Sequence, residues 1–89
     1  MFFCSHSGAN FKRAYINAKV EKRIGQNLRH LREQACLTQE AVAIQLQVRG
    51  CDITRSAIAK IEVGQRHLYP DEIILLREIL GTTYEDILA

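Results

Sequence analysis

Cysteine and histidine side chains are the first candidates for chemistry in this chain of 89 residues, because thiolate and imidazole groups bind transition metals. Three cysteines stand at positions 4, 36 and 51, and three histidines stand at positions 6, 30 and 67. Cys4 and His6 could contribute to a zinc site, but no C-x-x-C or H-x-x-x-H pair provides the short spacing that such sites use. We therefore expect reduced thiols, no metal and no cofactor.

The sequence contains no motif typical of a catalytic site. It has no glycine-rich phosphate loop, no nucleophile elbow, and no carboxylate pair or Cys/His grouping suited to a pocket in so short a chain. The sequence therefore predicts that the chain is not an enzyme.

Charge is unevenly distributed along the chain, although the formal net charge is only +2. Residues 12–32 carry seven basic side chains and one acidic one, whereas residues 70–89 carry five acidic side chains and one basic one. This distribution is typical of a protein that binds a polyanion through a basic face. The ordinary alternative is a basic helix that is only exposed to solvent. Four further basic residues stand between the two segments: Arg49, Arg55, Lys60 and Arg66.

The elements that must position these residues are predicted to be helices. Residues 17–34 repeat apolar side chains at steps of three and four, as one face of a helix does. Thr38 and Thr54 are good N-cap residues, each flanked by apolar residues at the positions of a hydrophobic staple. Residues 1–16 show no clear period and are predicted to form a separate N-terminal arm, so the domain proper is expected at residues 17–89.

Glycine and proline indicate where the helices begin and end. Gly50 is the expected turn residue between the second and third helices, and Gly64 is expected to end the third. Pro70 suits the first turn of a fourth helix that Gly81 ends, and Thr83 can cap a short fifth helix. The sequence thus predicts an all-α orthogonal bundle with no strand.

The apolar content of the chain argues against a membrane or secreted location. No apolar run approaches the roughly 18 residues that a membrane span needs. The opening segment MFFCSHSGANFKR lacks the apolar stretch of a secretory signal. We therefore expect a cytoplasmic chain that does not associate with a membrane.

Two stretches of the sequence resemble the phage-repressor (Cro-like, XRE-type) helix-turn-helix DNA-binding family. They are LRHLREQACLTQEAVAIQL and ITRSAIAKIEVGQR, and the resemblance continues to LGTTYEDIL, covering roughly residues 20–88. It implies an all-α, five-helix lambda-repressor-like DNA-binding domain with a helix-turn-helix. The turn QVRGCDI between the second and third helices is longer than the turn of three or four residues found in many relatives. Its length affects the angle at which the third helix docks on DNA.

The resemblance implies that residues 54–63 form a recognition helix in the major groove, with base contacts from Arg55, Ser56 and Lys60. The planar guanidinium of Arg55 can donate to O6 and N7 of guanine, a contact worth about 1–3 kcal/mol against a wrong base. Lys60 can reach a base or a phosphate, and the short Ser56 side chain can hydrogen-bond to either.

Contacts to DNA phosphates are expected from a second group of residues. Gln39 matches a family position that touches phosphate, at a helix start whose N–H groups favour an anion. Thr54, Arg49 in the turn and Arg66 after the recognition helix are further candidates.

Arg32 and Glu62 match family positions that form a structural ion pair. In the family this pair ties the first helix to the end of the recognition helix, so the resemblance implies that neither side chain contacts DNA.

Three functions are compatible with this interpretation. The first is a sequence-specific transcriptional regulator, a repressor or autoregulator, that binds an operator in double-stranded DNA as a homodimer. The second is an antitoxin-like module that chiefly binds a partner protein, with DNA binding secondary. The third is a helix-turn-helix fold that has lost DNA binding and serves only as an interaction domain.

The dimer surface is open at this stage. The family commonly pairs through its C-terminal helix, which makes Tyr84, Ile87 and Leu88 the candidates. The alternative is that these three side chains simply close the core. Two-fold symmetry favours an inverted repeat with half-sites about 34–36 Å apart.

Overall fold

Five helices and their connecting turns make up residues 19–89, the part of the chain that this computed structural model describes. Helix α1 covers residues 19–34, and no strand occurs within the described part. The other helices are α2 (Gln39–Val48), α3 (Arg55–Glu62), α4 (Pro70–Leu80) and α5 (Tyr84–Leu88). The predicted all-α fold is confirmed. The predicted arm at residues 1–16 lies outside the described residues.

Threonine side chains begin three of the helices, as their positions predict. The Oγ1 atoms of Thr38, Thr54 and Thr83 accept hydrogen bonds of 3.0, 3.2 and 3.1 Å from backbone N–H groups three residues later. Each bond satisfies one of the N–H groups that have no partner within the helix. At the start of α4 the Glu72 carboxylate has a similar role, since it accepts a 3.0 Å hydrogen bond from the Tyr69 N–H.

Residues in the left-handed conformation follow the first four helices. Gly50, Gly64 and Gly81 have φ angles of 89°, 78° and 63°, at the positions where the sequence predicts a helix end. At the end of α1 the same conformation falls on Cys36, whose φ is 59°. A residue with a Cβ atom is disfavoured there by roughly 1–2 kcal/mol, so this turn is strained.

The long turn between α2 and α3 is held by hydrogen bonds to α2. The Cys51 N–H donates to the Leu46 carbonyl across 2.9 Å, and the Gln47 side-chain amide donates to the Ile53 carbonyl across 2.8 Å. Ile53 is itself buried. The extra residues therefore pack onto the domain, and the two helices still contact each other.

The core lies where α1 to α5 meet, and each helix contributes to it. Its buried apolar residues are Leu28, Val42, Ala43, Leu46, Ile53, Ile58, Ile61, Leu76 and Ile87. Of the candidates for a dimer surface, Ile87 is 0% exposed and closes the core, whereas Tyr84 and Leu88 remain exposed. None of the described helices combines the length and apolar character needed to cross a membrane.

Gly25 lets α1 lie directly against the end of α3. A Cβ atom at this position would overlap the Ile61 carbonyl oxygen and would lie 2.8 Å from that of Glu62. One turn earlier, the Lys22 backbone lies close to Gly64, where a Cβ atom would be 2.9 Å from the Lys22 Cα. Backbone contact with α1 therefore determines where the last turn of α3 sits.

Candidate nucleic-acid interface

The three residues predicted to contact bases lie on the solvent side of α3. Arg55, Ser56 and Lys60 are exposed, while Ile58 and Ile61 anchor the opposite side of the helix in the core. Within residues 19–89, no hydrogen bond or ion pair engages these three side chains. They are available to a ligand.

A shallow cleft separates the start of α2 from the start of α3. It is lined by Arg32, Thr38, Gln39, Glu40 and Arg55. The N–H groups in the first turn of α2 have no partner within the helix, and together with the helix dipole they favour an anion. Arg55 adds positive charge on one wall, whereas the Glu40 carboxylate opposes an anion. An anionic group such as a phosphate therefore fits best on the Arg55 side of the cleft.

Arg32 and Glu62 form the ion pair that the family resemblance implies. Arg32 Nε donates to Glu62 Oε2 across 2.7 Å, and its second terminal nitrogen donates to Oε1 across 3.1 Å. The pair is well shielded, since only 13% of the Arg32 side chain and 5% of the Glu62 side chain are exposed. The hydrogen bond with Glu62 raises the pKa of Arg32 against the opposing effect of burial. The pair joins α1 to the last residue of α3.

Gln39 belongs to the same network, which the sequence did not indicate. Its Nε2 donates to Glu62 Oε1 across 2.9 Å, so the first residue of α2 is linked to the last residue of α3. One amide hydrogen of Gln39 is thereby occupied. For the expected phosphate contact, Gln39 still has two donors: its second amide hydrogen and its backbone N–H at the start of α2.

Arg49, expected to contact phosphate, has intramolecular partners. Its Nε lies 3.1 Å from Glu78 on α4, and a terminal nitrogen donates to the Gln45 side-chain oxygen across 2.7 Å. The guanidinium therefore links the end of α2 to α4. Any phosphate near Arg49 would have to compete with the Glu78 carboxylate.

Arg66, another expected phosphate ligand, is paired more firmly. It donates to both carboxylate oxygens of Glu72 across 3.0 Å each, and its guanidinium lies 5.7 Å from the centre of the Tyr69 ring. Burial alone would raise the pKa of Glu72. The hydrogen bonds from Arg66 and from the Tyr69 N–H, with the Arg66 charge, outweigh burial and lower that pKa. The pair fastens the segment after α3 to the start of α4.

Thr54 keeps the capacity for its expected phosphate contact. Its Oγ1 accepts the capping hydrogen bond from the Ala57 N–H. The hydroxyl hydrogen can still donate, because a hydroxyl group is both a donor and an acceptor. Thr54 is also exposed.

Sequence reasoning missed Glu72 and Gly25. Glu72 is the third residue of α4, a position from which a glutamate commonly accepts a hydrogen bond from the backbone at the helix start. Gly25 interrupts an otherwise regular helical pattern, and such a glycine often marks a close backbone approach. Both signals were present in the sequence, but neither identifies the partner.

The two cysteines of the described part show no sign of metal binding. Cys36 is exposed, and Cys51 is partly buried with its thiol pKa raised by that burial. Among residues 19–89, no three His, Cys, Asp or Glu side chains are grouped so as to hold a metal ion. Cys4 and His6 lie outside the described residues.

Two solved structures are similar to this fold. The restriction-modification controller protein C.AhdI from Aeromonas hydrophila has a TM-score of 0.69 and 27% identity, over 79% of this chain and 94% of that chain. The DNA-binding domain of BldD has a TM-score of 0.68 and 22% identity, over 81% of this chain and 97% of that chain. No curated protein gives a significant sequence match.

The sequence of residues 23–88 matches the helix-turn-helix domain family. The matched range begins within α1 and includes α2, the turn, α3, α4 and α5. In agreement with its resemblance to XRE-type proteins, the chain belongs to the helix-turn-helix domain family.

Proposed function

We propose that this chain binds double-stranded DNA sequence-specifically as a transcriptional regulator, with α3 as the recognition helix. The observation that carries the proposal is the outward face of α3, where Arg55, Ser56 and Lys60 are exposed and unengaged within the described part of the chain. The other basic candidates, Arg49 and Arg66, are bound to carboxylates. Among the basic residues predicted to contact DNA, the two without an intramolecular partner in the described part, Arg55 and Lys60, thus both lie on α3.

The dimensions of α3 suit the major groove. An α-helix with its side chains is about 10–12 Å across. The major groove is about 12 Å wide and admits an α-helix. Arg55 is the first residue of α3, and in docked helix-turn-helix motifs the N-terminal residues of the recognition helix contact base edges.

The start of α2 supplies the positioning contacts in this proposal. A phosphate in the cleft beside Arg55 would accept a hydrogen bond from the backbone N–H of Gln39. Thr54, the residue before Arg55, keeps a hydroxyl hydrogen for a phosphate contact of its own. Contacts of this kind set register and orientation without reading sequence. The link between Gln39 and Glu62 holds the phosphate-binding helix at a fixed position relative to α3.

The comparisons support the regulatory part of the proposal at the level of the family. C.AhdI is described as a controller protein of a restriction-modification system. The likeness to BldD supports the fold alone, because the identity is 22%. We infer a repressor or autoregulator that binds an inverted repeat as a homodimer, with the exposed Tyr84 and Leu88 of α5 at the dimer surface.

A titration tests this function. The purified chain is titrated against duplex DNA from upstream of its own gene and against a scrambled duplex of equal composition, at two salt concentrations. A preference of roughly 10³-fold or more that weakens with salt supports an autoregulating repressor. Equal and weak binding to both duplexes contradicts the proposal and points to the antitoxin-like alternative.

A further inference from the structure

The start of α1 lies beside the end of α3. A Cβ atom at Gly64, the glycine that ends α3, would lie 2.9 Å from the Lys22 Cα and 3.0 Å from its Cβ. One turn later in α1, Gly25 lies against the carbonyl groups of Ile61 and Glu62. Lys22 is therefore held next to the turn that ends α3.

Helical spacing places the Lys22 side chain on the solvent side of this contact. At about 100° per residue, Ile24 and Leu28 lie on one side of Gly25 and Lys22 lies on the other. Leu28 is buried in the core and Ile24 packs against it, whereas Lys22 is exposed. Because the core lies behind α3, the side of Lys22 is the side of the outward face of α3.

The charge of Lys22 is not paired within the described part of the chain. Its neighbour Glu21 falls on the core side of the contact by its spacing, and the Glu21 carboxylate contacts the His67 ring. On the solvent side of α1, Arg29 pairs with Glu33. Lys22 therefore brings an available ammonium group to the end of α3.

Arg66, the residue expected to bind phosphate at this end of α3, is not available in the same way. Its guanidinium donates to both carboxylate oxygens of Glu72, each across 3.0 Å. The Glu72 side chain is only 7% exposed, and a buried carboxylate that loses its charged partner costs several kcal/mol. An anion near the end of α3 is therefore better served by Lys22 than by Arg66.

Two positions suited to an anion thus flank the outward face of α3. The cleft beside Arg55 lies at the start of α3, and Lys22 lies at its end. We propose that Lys22 binds a DNA phosphate at the end of α3, in the place where the family resemblance puts Arg66. The inference rests on the proposed function and adds to it a phosphate-binding residue from α1, outside the two helices of the motif. A contact of this kind fixes how α3 lies in the groove and does not read sequence.

The salt dependence of binding tests the inference, with a duplex that the full chain enriches from a library of random sequence. Each phosphate that a protein neutralises adds about 0.9 to the steepness of log K against log salt concentration. Lys22→Ala should lose one such contact, so its affinity deficit relative to the wild type should shrink about 3.5-fold between roughly 50 and 200 mM salt. Its preference for the enriched duplex over a scrambled one should be that of the wild type.

A second measurement locates the phosphate. Each phosphate of the enriched duplex is replaced in turn by a neutral methylphosphonate. Wild-type binding should weaken at several positions, and Lys22→Ala should lose its sensitivity at one position in each half-site.

Arg23→Ala is the matched control. Arg23 is an exposed cation of α1 that is unpaired within residues 19–89, and its spacing turns it about 100° further from α3 than Lys22. This variant should keep the salt dependence and the methylphosphonate pattern of the wild type. Lys22→Gln repeats the loss of charge while keeping part of the aliphatic stem, and thermal melts establish that the variants are folded.

The outcomes separate the inference from the proposed function. If the wild type prefers its enriched duplex but Lys22→Ala has the same salt dependence and the same sensitive phosphates, the inference is overturned and the proposed function stands. An equal change in Arg23→Ala also overturns the inference, since the charge of α1 would then act without a defined contact. Failure to enrich any duplex overturns both. If Lys22→Ala did not fold, Lys22→Gln would decide the question by the same criteria.

Discussion

The Glu62 carboxylate accepts two hydrogen bonds from Arg32, of 2.7 and 3.1 Å, and so fastens the last residue of α3 to α1. Gln39 at the start of α2 donates a third, of 2.9 Å. One buried carboxylate therefore holds both helices of the helix-turn-helix motif against α1. The orientation of the outward face of α3 depends on side chains that do not belong to that face.

Arg32→Ala is expected to lower the free energy of unfolding by about 3 kcal/mol or more, because it leaves a buried carboxylate without its charged partner. Arg29→Ala is the control. The Arg29–Glu33 pair lies within α1 with both side chains more than half exposed, so its loss should cost about 0.5 kcal/mol or less. Urea unfolding followed by circular dichroism measures both. Similar small losses in the two variants would contradict the structural role of Arg32.

Stability is expected to fall in acid because of Glu72. Its pKa in the fold is lowered from the ordinary value of 4.5 by Arg66 and the Tyr69 N–H, despite burial. A lowered pKa adds stability that is present above the ordinary value and is lost as the pH falls through the folded-state value. Urea unfolding of the wild type at a series of pH values should therefore show a loss of stability below about pH 4.5.

Glu72→Gln should flatten this dependence, since an amide does not titrate. Glu85→Gln, at an exposed position of α5, is the control and should keep the slope of the wild type. An unchanged slope in Glu72→Gln would show that the acid sensitivity arises elsewhere.

Gly25→Ala is expected to destabilise the domain even though alanine favours a helix by about 1 kcal/mol. The added Cβ atom would overlap the Ile61 carbonyl oxygen, so one backbone must move. A drop in Tm of at least about 4 °C is expected, corresponding to a net loss of about 1 kcal/mol or more. Gln26→Ala, at the exposed neighbouring position, should leave Tm unchanged or slightly higher. A Gly25→Ala variant as stable as the wild type would rule out the close contact.

Cys36→Gly is expected to stabilise the domain by about 1 kcal/mol, because glycine adopts a positive φ without a Cβ clash. Cys36 has a φ of 59° at the turn after α1, and its side chain is exposed. Cys36→Ala removes the same thiol but keeps the Cβ atom, so it should show no gain. Thermal unfolding under reducing conditions compares the two. A gain in the alanine variant equal to that in the glycine variant would assign the effect to the thiol.

Helix boundaries could be predicted from the sequence because the signals that begin and end a helix act within one turn. Thr38 and Thr54 bond to N–H groups three residues away, and Gly64 adopts the φ that its place predicts. Ile58 and Ile61 are three residues apart and both buried, as helical spacing places them on one face of α3. Each of these features depends on residues adjacent in the chain.

The partners of the charged side chains could not be predicted, because tertiary packing sets them. In the sequence, Arg49 and Arg66 look like phosphate ligands, but the fold pairs Arg49 with Glu78, 29 residues later. The Arg66–Glu72 pair spans only six residues, and forming it depends on how the segment after α3 turns into α4. The Arg32–Glu62 pair was expected only from the family resemblance.

The central claim is that the outward face of α3 reads bases, and the specificity ratio of Arg55→Ala tests it most directly. A duplex is first enriched by the wild-type chain from a library of random sequence. The specificity ratio is the affinity for this enriched duplex divided by the affinity for a scrambled duplex, and it is measured for wild type and variant at the same salt concentration. Removing a base contact should weaken binding to the enriched duplex by roughly 5- to 150-fold, with much less effect on the scrambled duplex. Arg49→Ala, whose arginine is paired with Glu78, should keep the wild-type ratio. A folded Arg55→Ala variant that retains the full ratio would contradict the claim.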